Sequence, residues 1–392
     1  MPRLARQSER PNHRAQESRI AMSQYQPPFR ADTVGSLLRS EELKQARRRF
    51  HDGETDYAAL RAVEDSEIRR VVAKQEALGL KAVTDGEFRR AWWHFDFLED
   101  LKGVEGYNAE QGIQFQGRQT QARAVRVTDK LGFDPAHPML DHFRFLAGTV
   151  DKATPKMTLP SPSVLHFRGG RRNIDSSVYP SLDAFFADLA DTYRDVVAHF
   201  HAAGCRYLQL DDTVWAYLCS DKELAAARER GEDADRLQHI YAEVLNHALA
   251  GRPDDLHVSL HVCRGNFRST WISEGGYEPV AETLLGRVDV DAYFLEYDTE
   301  RAGGFEPLRF LPEGHKQAVL GLITSKSGEL EPADTVSARI AEASRHAPLS
   351  QLCLSPQCGF ASTEEGNLLS EAQQWDKLRH VVDIANAVWQ DD

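Results

Sequence analysis

Several things are missing from this sequence, and each absence excludes something. There is no apolar run near the ~20 residues that a membrane-spanning helix needs, so we read a water-soluble globular chain. There is no excess of basic residues. Lys and Arg number 47 against 60 Asp and Glu, a net charge of −13, whereas a nucleic-acid partner calls for a basic face. Cysteine is scarce, five in 392 residues; an odd, sparse set in a long chain is not a disulfide framework and points to a reducing, cytoplasmic setting. The phosphate turn G-x-G-x-x-G is absent, which leaves a dinucleotide-binding sheet without its usual anchor. The N-terminal stretch also lacks the apolar core of a secretory signal. Its Arg3, Arg6, Arg10, Arg14 and Arg19 fall among polar residues, and Glu9 and Glu17 argue against a transit peptide. Residues 1–28 read as a disordered arm or as sequence upstream of a working start at Met22, with one domain over 29–392.

The remainder is rich in a single rhythm. Apolar runs of strand length start near residues 31, 82, 156, 206, 257, 291, 317 and 351, most of them separated by helical patterns such as Tyr57–Leu78, Ser181–Ala203, Asp221–Leu249 and Ala333–His346. Strand and helix in alternation make parallel β/α units, and eight of them predict an α/β (β/α)₈ TIM barrel. An open doubly wound sheet is the alternative. Between Arg89 and Asp151 the rhythm breaks. This stretch holds Trp92-Trp93 and a hairpin pattern around Gly112–Val127, without a clear crossover helix, and reads as a long inserted loop or lid after the second strand.

Polar residues gather where the strands stop. Ser36, Asp85, Glu87, Asp211, His261, Glu296 and Cys358 each sit at, or just past, the C-terminal end of a strand candidate, the rim on which (β/α)₈ enzymes build their sites. In Val258-Ser-Leu-His261-Val-Cys263-Arg-Gly-Asn266, alternation along the strand puts His261 and Cys263 on one face. An imidazole beside a thiolate suits Zn²⁺. Glu296 ends a second apolar run and Cys358 follows a third, so His261, Cys263, Glu296 and Cys358 are candidate ligands of one ion. Buried cysteine is also a common apolar filler, and on the residues alone both readings stand.

These motifs are familiar in combination. His261-Val-Cys263, Glu296 and Gln357-Cys358-Gly359, together with Val34-Gly35-Ser36, Asp85-Gly86-Glu87 and Gln209-Leu-Asp211-Asp212, resemble the cobalamin-independent methionine synthase family. The likeness runs from about Phe29 to Trp389 and covers only the catalytic half of the full-length synthases. Arg89…Trp92-Trp93…Phe95, Glu274-Gly-Gly-Tyr277-Glu-Pro279 and Leu354-Ser-Pro-Gln-Cys358-Gly-Phe360 resemble its short single-barrel members.

The resemblance implies a zinc-dependent methyltransferase of methionine biosynthesis, with His261, Cys263, Glu296 and Cys358 holding Zn²⁺. Two thiolates and a carboxylate around a dication carry net charge −1, and −2 once a substrate thiolate joins, which keeps electron density on sulfur. Three neutral histidines would suit water activation better. The resemblance further implies that Ser36 and the Gly35 backbone hold the carboxylate of homocysteine, and Glu87 and Asp211 its ammonium. Asp and Ser after a strand are also frequent helix caps; Asp212 is either such a cap or a residue orienting His261. Trp92 and Trp93 cover the pocket, stack on a flat donor, or simply pack.

Departures fall on the donor side. Asp211-Asp212 stands where the full-length enzymes have Asp-Glu. The turn Thr324-Ser325-Lys326 lacks the family's proton-delivering histidine, leaving Lys326 as a substitute acid or a solvated lysine. His166-Phe167 occupies the region of the folate-stacking Trp. The donor is therefore 5-methyltetrahydrofolate or another methyl carrier. The competing readings are alkyl transfer to another thiol, as in epoxyalkane:coenzyme M transferase, a metal-free barrel like uroporphyrinogen decarboxylase, and a non-catalytic zinc-stabilised binding protein.

Overall fold

The computed structural model describes residues 26–390. Most of the expected arm over 1–28, and Met22 with it, lies outside the described residues. The strands are β1 (Ala82–Val83), β2 (Lys102–Asn108), β3 (Gln114–Phe115), β4 (Arg118–Gln119), β5 (Arg123–Gly132), β6 (Thr154–Pro160), β7 (Tyr207–Asp212), β8 (His257–Val262), β9 (Ala292–Glu296), β10 (Gln317–Ile323) and β11 (Leu352–Pro356). Among the described residues, seven of them form one curled parallel sheet in the order β1-β6-β7-β8-β9-β10-β11. Spatial order thus follows chain order, with helices between. Every residue of β7, β9, β10 and β11 is buried, as a parallel sheet covered on both faces requires. The covering helices show why they form. In Leu182–Ala202, Ser181 caps the N-terminus by accepting from Ala184 N at 3.3 Å, and Phe185, Leu189, Tyr193, Val196 and Phe200 make one buried stripe. No helix among the described residues is long and apolar enough to cross a membrane.

Three expectations are corrected. The strand expected near residue 31 shrinks to one parallel bridge, Ala31 to Leu354 of β11. The Asp32 carboxylate accepts from Thr33 N at 2.7 Å and Phe29 N at 3.4 Å, local bonds that compete with a ladder. Beyond it the segment leans on the opposite edge of the sheet: Thr84 Oγ1 donates to Gly35 O at 2.5 Å and Leu37 N to Gly86 O at 3.0 Å. Second, the stretch between β1 and β6 does contain a helix, Pro138–Thr149, started by Pro138 and capped by His137. Its hairpin is also longer than the pattern around Gly112–Val127, since β2 pairs with β5, and β3 with β4 at the tip. Third, Asp221–Leu249 is two helices, Asp221–Glu229 and Ala234–Leu249, parted at Gly231, whose φ of +87° ends the first.

One buried ion pair fastens the first segment across the sheet. Lys156 of β6 donates to Asp32 Oδ1 at 3.0 Å and Thr33 O at 2.6 Å, with both side chains fully buried. Tyr207 OH donates to Asp32 Oδ2 at 2.8 Å. Removing one member of such a pair strands the other in a dry interior. Lys156→Met is expected to lower unfolding free energy by about 3–5 kcal/mol, read from urea denaturation; a loss below about 1 kcal/mol would show that the pair does not hold the segment.

Candidate metal centre

Parallel strands end on one side of their sheet, so groups far apart in sequence meet there. His261, the penultimate residue of β8, stands in register with Asp211 of β7. Its Nδ1 lies 2.9 Å from Asp211 Oδ1, which also accepts from Gln209 Nε2 at 2.8 Å. A ring nitrogen facing a carboxylate carries the proton, which leaves the lone pair on Nε2. That Nε2 is buried and has no hydrogen-bond partner.

Cys263 follows one step past the strand, its N–H donating to Asp212 O at 2.7 Å. Glu296 closes β9. Its Oε1 accepts from Arg264 N at 3.1 Å, while Oε2 is buried without a partner. Cys358 lies in a turn fixed by Gln357, whose N–H donates to Ile323 O at 2.8 Å and whose Oε1 accepts from Ser325 N at 2.9 Å and Oγ at 2.7 Å. This turn passes over Gly321, the register neighbour of Glu296. A Cβ there would stand 2.7 Å from Gln357 Cα, so the close approach needs glycine.

The ligand atoms of His261, Cys263, Glu296 and Cys358 lie within 4.8 Å of one another, and all four residues are buried. The two sulfurs are 3.5 Å apart and unbonded. A zinc tetrahedron with bonds of about 2.0–2.3 Å has edges of about 3.3–3.8 Å, so the four donors fit one ion after closing by about 1.5 Å at most. The two unpartnered atoms, His261 Nε2 and Glu296 Oε2, are those that such an ion would satisfy. With only protons to share, the hydrogen bond between the thiols, reinforced by His261, pulls Cys358 well below the usual thiol range. The same bond and burial push Cys263 up. Burial opposes charge on His261, but Asp211 and Cys358 prevail and raise it to about 10. In that state the ring holds a second proton on Nε2, which a metal ion would displace to reach the lone pair.

His261, Cys263 and Cys358 line a pocket together with Ser36, Glu87, Asp211, Trp92 and Trp93. The structure therefore brings most of the residues read from the sequence into one cavity. Ser36 is locked to the Cys358 turn: its O accepts from Phe360 N at 2.9 Å and its Oγ from Ala361 N at 3.3 Å. Glu87 takes a left-handed conformation, φ +61°. Its Oε1 accepts from Thr158 Oγ1 at 2.8 Å, and its Oε2 has no partner. Burial pushes Glu87 up to about 7, with Arg90 opposing and Asp211 adding to the rise. Trp93 packs on His94 with ring centres 4.4 Å apart, and Trp92 on Phe95 at 5.3 Å.

Two residues whose alternatives were left open have definite places. Asp212 does not reach His261; it points to the other face, takes Val214 N at 2.5 Å, and binds the hydroxyls of Ser161 and Ser163. It is the cap, and Asp211 is the residue that orients the ring. Lys326 is neither a solvated lysine nor part of the pocket wall. Its Nζ is buried without a partner, and its charge bears on Cys263.

Other residues of the site went unnoticed. Arg264 and Asn266 read only as a turn after Cys263. Phe115 at the hairpin tip packs 5.3 Å from Phe267, and Gln116 N donates to Trp271 O at 3.0 Å; Ile113, Phe115 and Thr120 thereby form one wall of the pocket. Hydrophobic alternation in the hairpin marked these strands but not what their tip touches.

Comparison with known proteins agrees with this geometry. The family model described as "Cobalamin-independent synthase, Catalytic domain" matches residues 29–387. An uncharacterized Bacillus subtilis protein, YxjG, is 54% identical over 94% of this chain and 97% of its own length. A Caulobacter vibrioides 5-methyltetrahydropteroyltriglutamate–homocysteine methyltransferase is 25% identical over 72% of this chain but 34% of its own length. A Listeria monocytogenes structure assigned to the vitamin-B12-independent methionine synthases superimposes with a TM-score of 0.75 at 45% identity, covering 93% of this chain and 99% of its own.

Because Asp211 holds His261, Asp211→Asn is expected to weaken metal affinity by about 10–100-fold, measured by competition with a chromophoric chelator. Unchanged affinity would show that the carboxylate does not orient the ring.

Proposed function

The chain belongs to the cobalamin-independent synthase family of catalytic domains, methionine-synthase-like methyltransferases, and from that premise we propose that it methylates the thiol of homocysteine with the aid of zinc held by His261, Cys263, Glu296 and Cys358. One observation carries this reading: four buried donors converge, two of them with an unpartnered atom, and three of the four, His261, Cys263 and Cys358, line a pocket that Ser36, Glu87 and Asp211 also line. We read the sheet, with the segment around Ala31 joining its two edges, as a (β/α)₈ barrel, and the β2–β5 hairpin as its inserted lid.

Zinc in this set of ligands would hold a substrate thiol as its thiolate near neutral pH while the anionic ligands keep the sulfur nucleophilic. The chain's own residues supply position. Ser36 and the Gly35 backbone receive the substrate carboxylate. Glu87 Oε2, buried and without a partner, receives the ammonium together with Asp211, whose second duty is to hold His261. The hairpin tip and the Trp92-Trp93 pair form the side from which the methyl donor, 5-methyltetrahydrofolate or another carrier, approaches. The thiol proton leaves on binding and goes to solvent. The S–C bond then forms as the bond from methyl to carrier breaks, and the carrier keeps that electron pair and takes up a proton from water. Lys326, absent from the pocket wall, contributes charge beside Cys263 rather than a proton to the leaving group. Two acidic side chains in the pocket favour an ammonium-bearing thiol over a sulfonate-bearing one, which argues against the epoxyalkane-type reaction.

Two outcomes test this. Cys358→Ser is expected to lose most of the zinc and all methyl transfer while keeping the wild-type circular dichroism spectrum; full metal with retained turnover would contradict the assignment. Ionised Glu87 is the form that pairs with an ammonium, and burial holds its carboxyl at about 7. Affinity for L-methionine, which has the ammonium but no thiol, should therefore rise as pH increases through about 7, and Glu87→Gln should flatten that rise. An identical pH profile in the variant would remove Glu87 from the ammonium site.

A further inference from the structure

Arg264 follows Cys263 directly, yet nothing described so far uses its side chain. It is fully buried, with 0% exposure, and its Nε, Nη1 and Nη2 are all buried without a hydrogen-bond partner. The guanidinium lies over the Tyr277 ring, 4.4 Å from its centre. Tyr277 in turn grips Glu296: Glu296 N donates to the Tyr277 hydroxyl at 2.9 Å, and that hydroxyl donates to Glu296 O at 3.3 Å. The Arg264 backbone N–H completes the hold on the carboxylate at 3.1 Å. A desolvated guanidinium without acceptors is costly. Stacking on tyrosine offsets part of that cost, and the remainder calls for negative charge nearby.

We infer that Arg264 is the built-in counter-cation of the metal centre and a positioning residue for it, setting how readily the centre takes on the further negative charge of a substrate thiolate. The inference rests on the metal reading proposed above. Two thiolates and one carboxylate around a dication carry −1. A bound thiolate makes that −2, a heavy charge for a buried site. Arg264 reduces these values to 0 and −1. Lys326, the other buried and unpartnered cation beside the centre, reduces them to +1 and 0. The centre is then short of one negative charge until the thiolate arrives, and neutral afterwards. This count covers the ligand set and the two cations alone; Glu87 and Asp211 lie on the pocket side, where they face the substrate ammonium.

The test uses the full chain in its zinc and cobalt(II) forms, with Arg264→Met, Arg264→Lys and wild type compared. Titration calorimetry gives the affinity for homocysteine, which brings a thiolate, and for methionine, which offers the same ammonium and carboxylate with a thioether. Arg264→Met should retain its metal against a chelator, bind homocysteine on the order of tenfold more weakly, bind methionine as wild type does, and shift the sulfur-to-cobalt charge-transfer band of the thiol complex. Arg264→Lys should restore most of the homocysteine affinity and the band position. Equal losses for both ligands, no loss for either, or a Lys variant as impaired as the Met variant would overturn the inference and reduce Arg264 to a packing role. If Arg264→Met does not fold, Arg264→Gln carries the same comparison. Wild-type protein that binds no metal would instead defeat the metal reading, and the inference with it.

Discussion

The hydrogen bond between His261 Nδ1 and Asp211 decides which nitrogen of a buried ring faces the other three donors. It depends on register: β7 and β8 align Asp211 with His261, and β8 and β9 align His261 with Phe294, two residues before Glu296. The same line of bonds continues into the rest of the site. Gln209 donates both to Asp211 and, at 2.7 Å, to Val34 O, tying the segment that carries Ser36 to the strand that orients the ring. A slip of one residue between β7 and β8 would turn every one of these side chains to the other face. The covered parallel sheet is what forbids that slip.

Around this frame the charges are arranged in two sets. On the pocket wall stand the two acidic residues Glu87 and Asp211, and burial has brought the Glu87 carboxyl up to about 7. Beside the four candidate ligands, the Arg264 guanidinium and the Lys326 Nζ are buried without hydrogen-bond partners. A site so divided would suit the substrate proposed above, a zwitterion with an ionisable sulfur, its ammonium toward the acids and its thiolate toward the four donors. Either set alone would be a poor use of buried charge. The Cys358 turn links the two, since Gly359 packs so closely on Ser36 that a Cβ there would lie 1.9 Å from the Ser36 hydroxyl oxygen.

Much of this was legible beforehand, for a physical reason. Buried parallel strands read as continuous apolar runs, and a polar residue ending such a run has only the rim to go to. That logic located His261, Glu296 and Cys358, of which His261 and Cys358 line the pocket. It could not choose between Asp211 and Asp212, because both end the same strand and only register shows which one faces His261. It missed the Pro138–Thr149 helix although Pro138 at its first position and the spacing of Leu140, Phe143 and Leu146 were visible signals. It made a strand of the residues around Ala31, where the Asp32 side chain satisfies local N–H groups instead. It also passed over Arg264, whose role follows from an absence of partners that no spacing encodes.

Four side chains sharing one ion are what the proposed chemistry requires. X-ray absorption at the zinc edge of the purified protein measures this directly. It should show one zinc bound by two sulfur and two nitrogen or oxygen ligands, with a third sulfur entering when homocysteine is added. A spectrum with no sulfur ligands, or metal-free protein that transfers methyl groups at full rate, would contradict it.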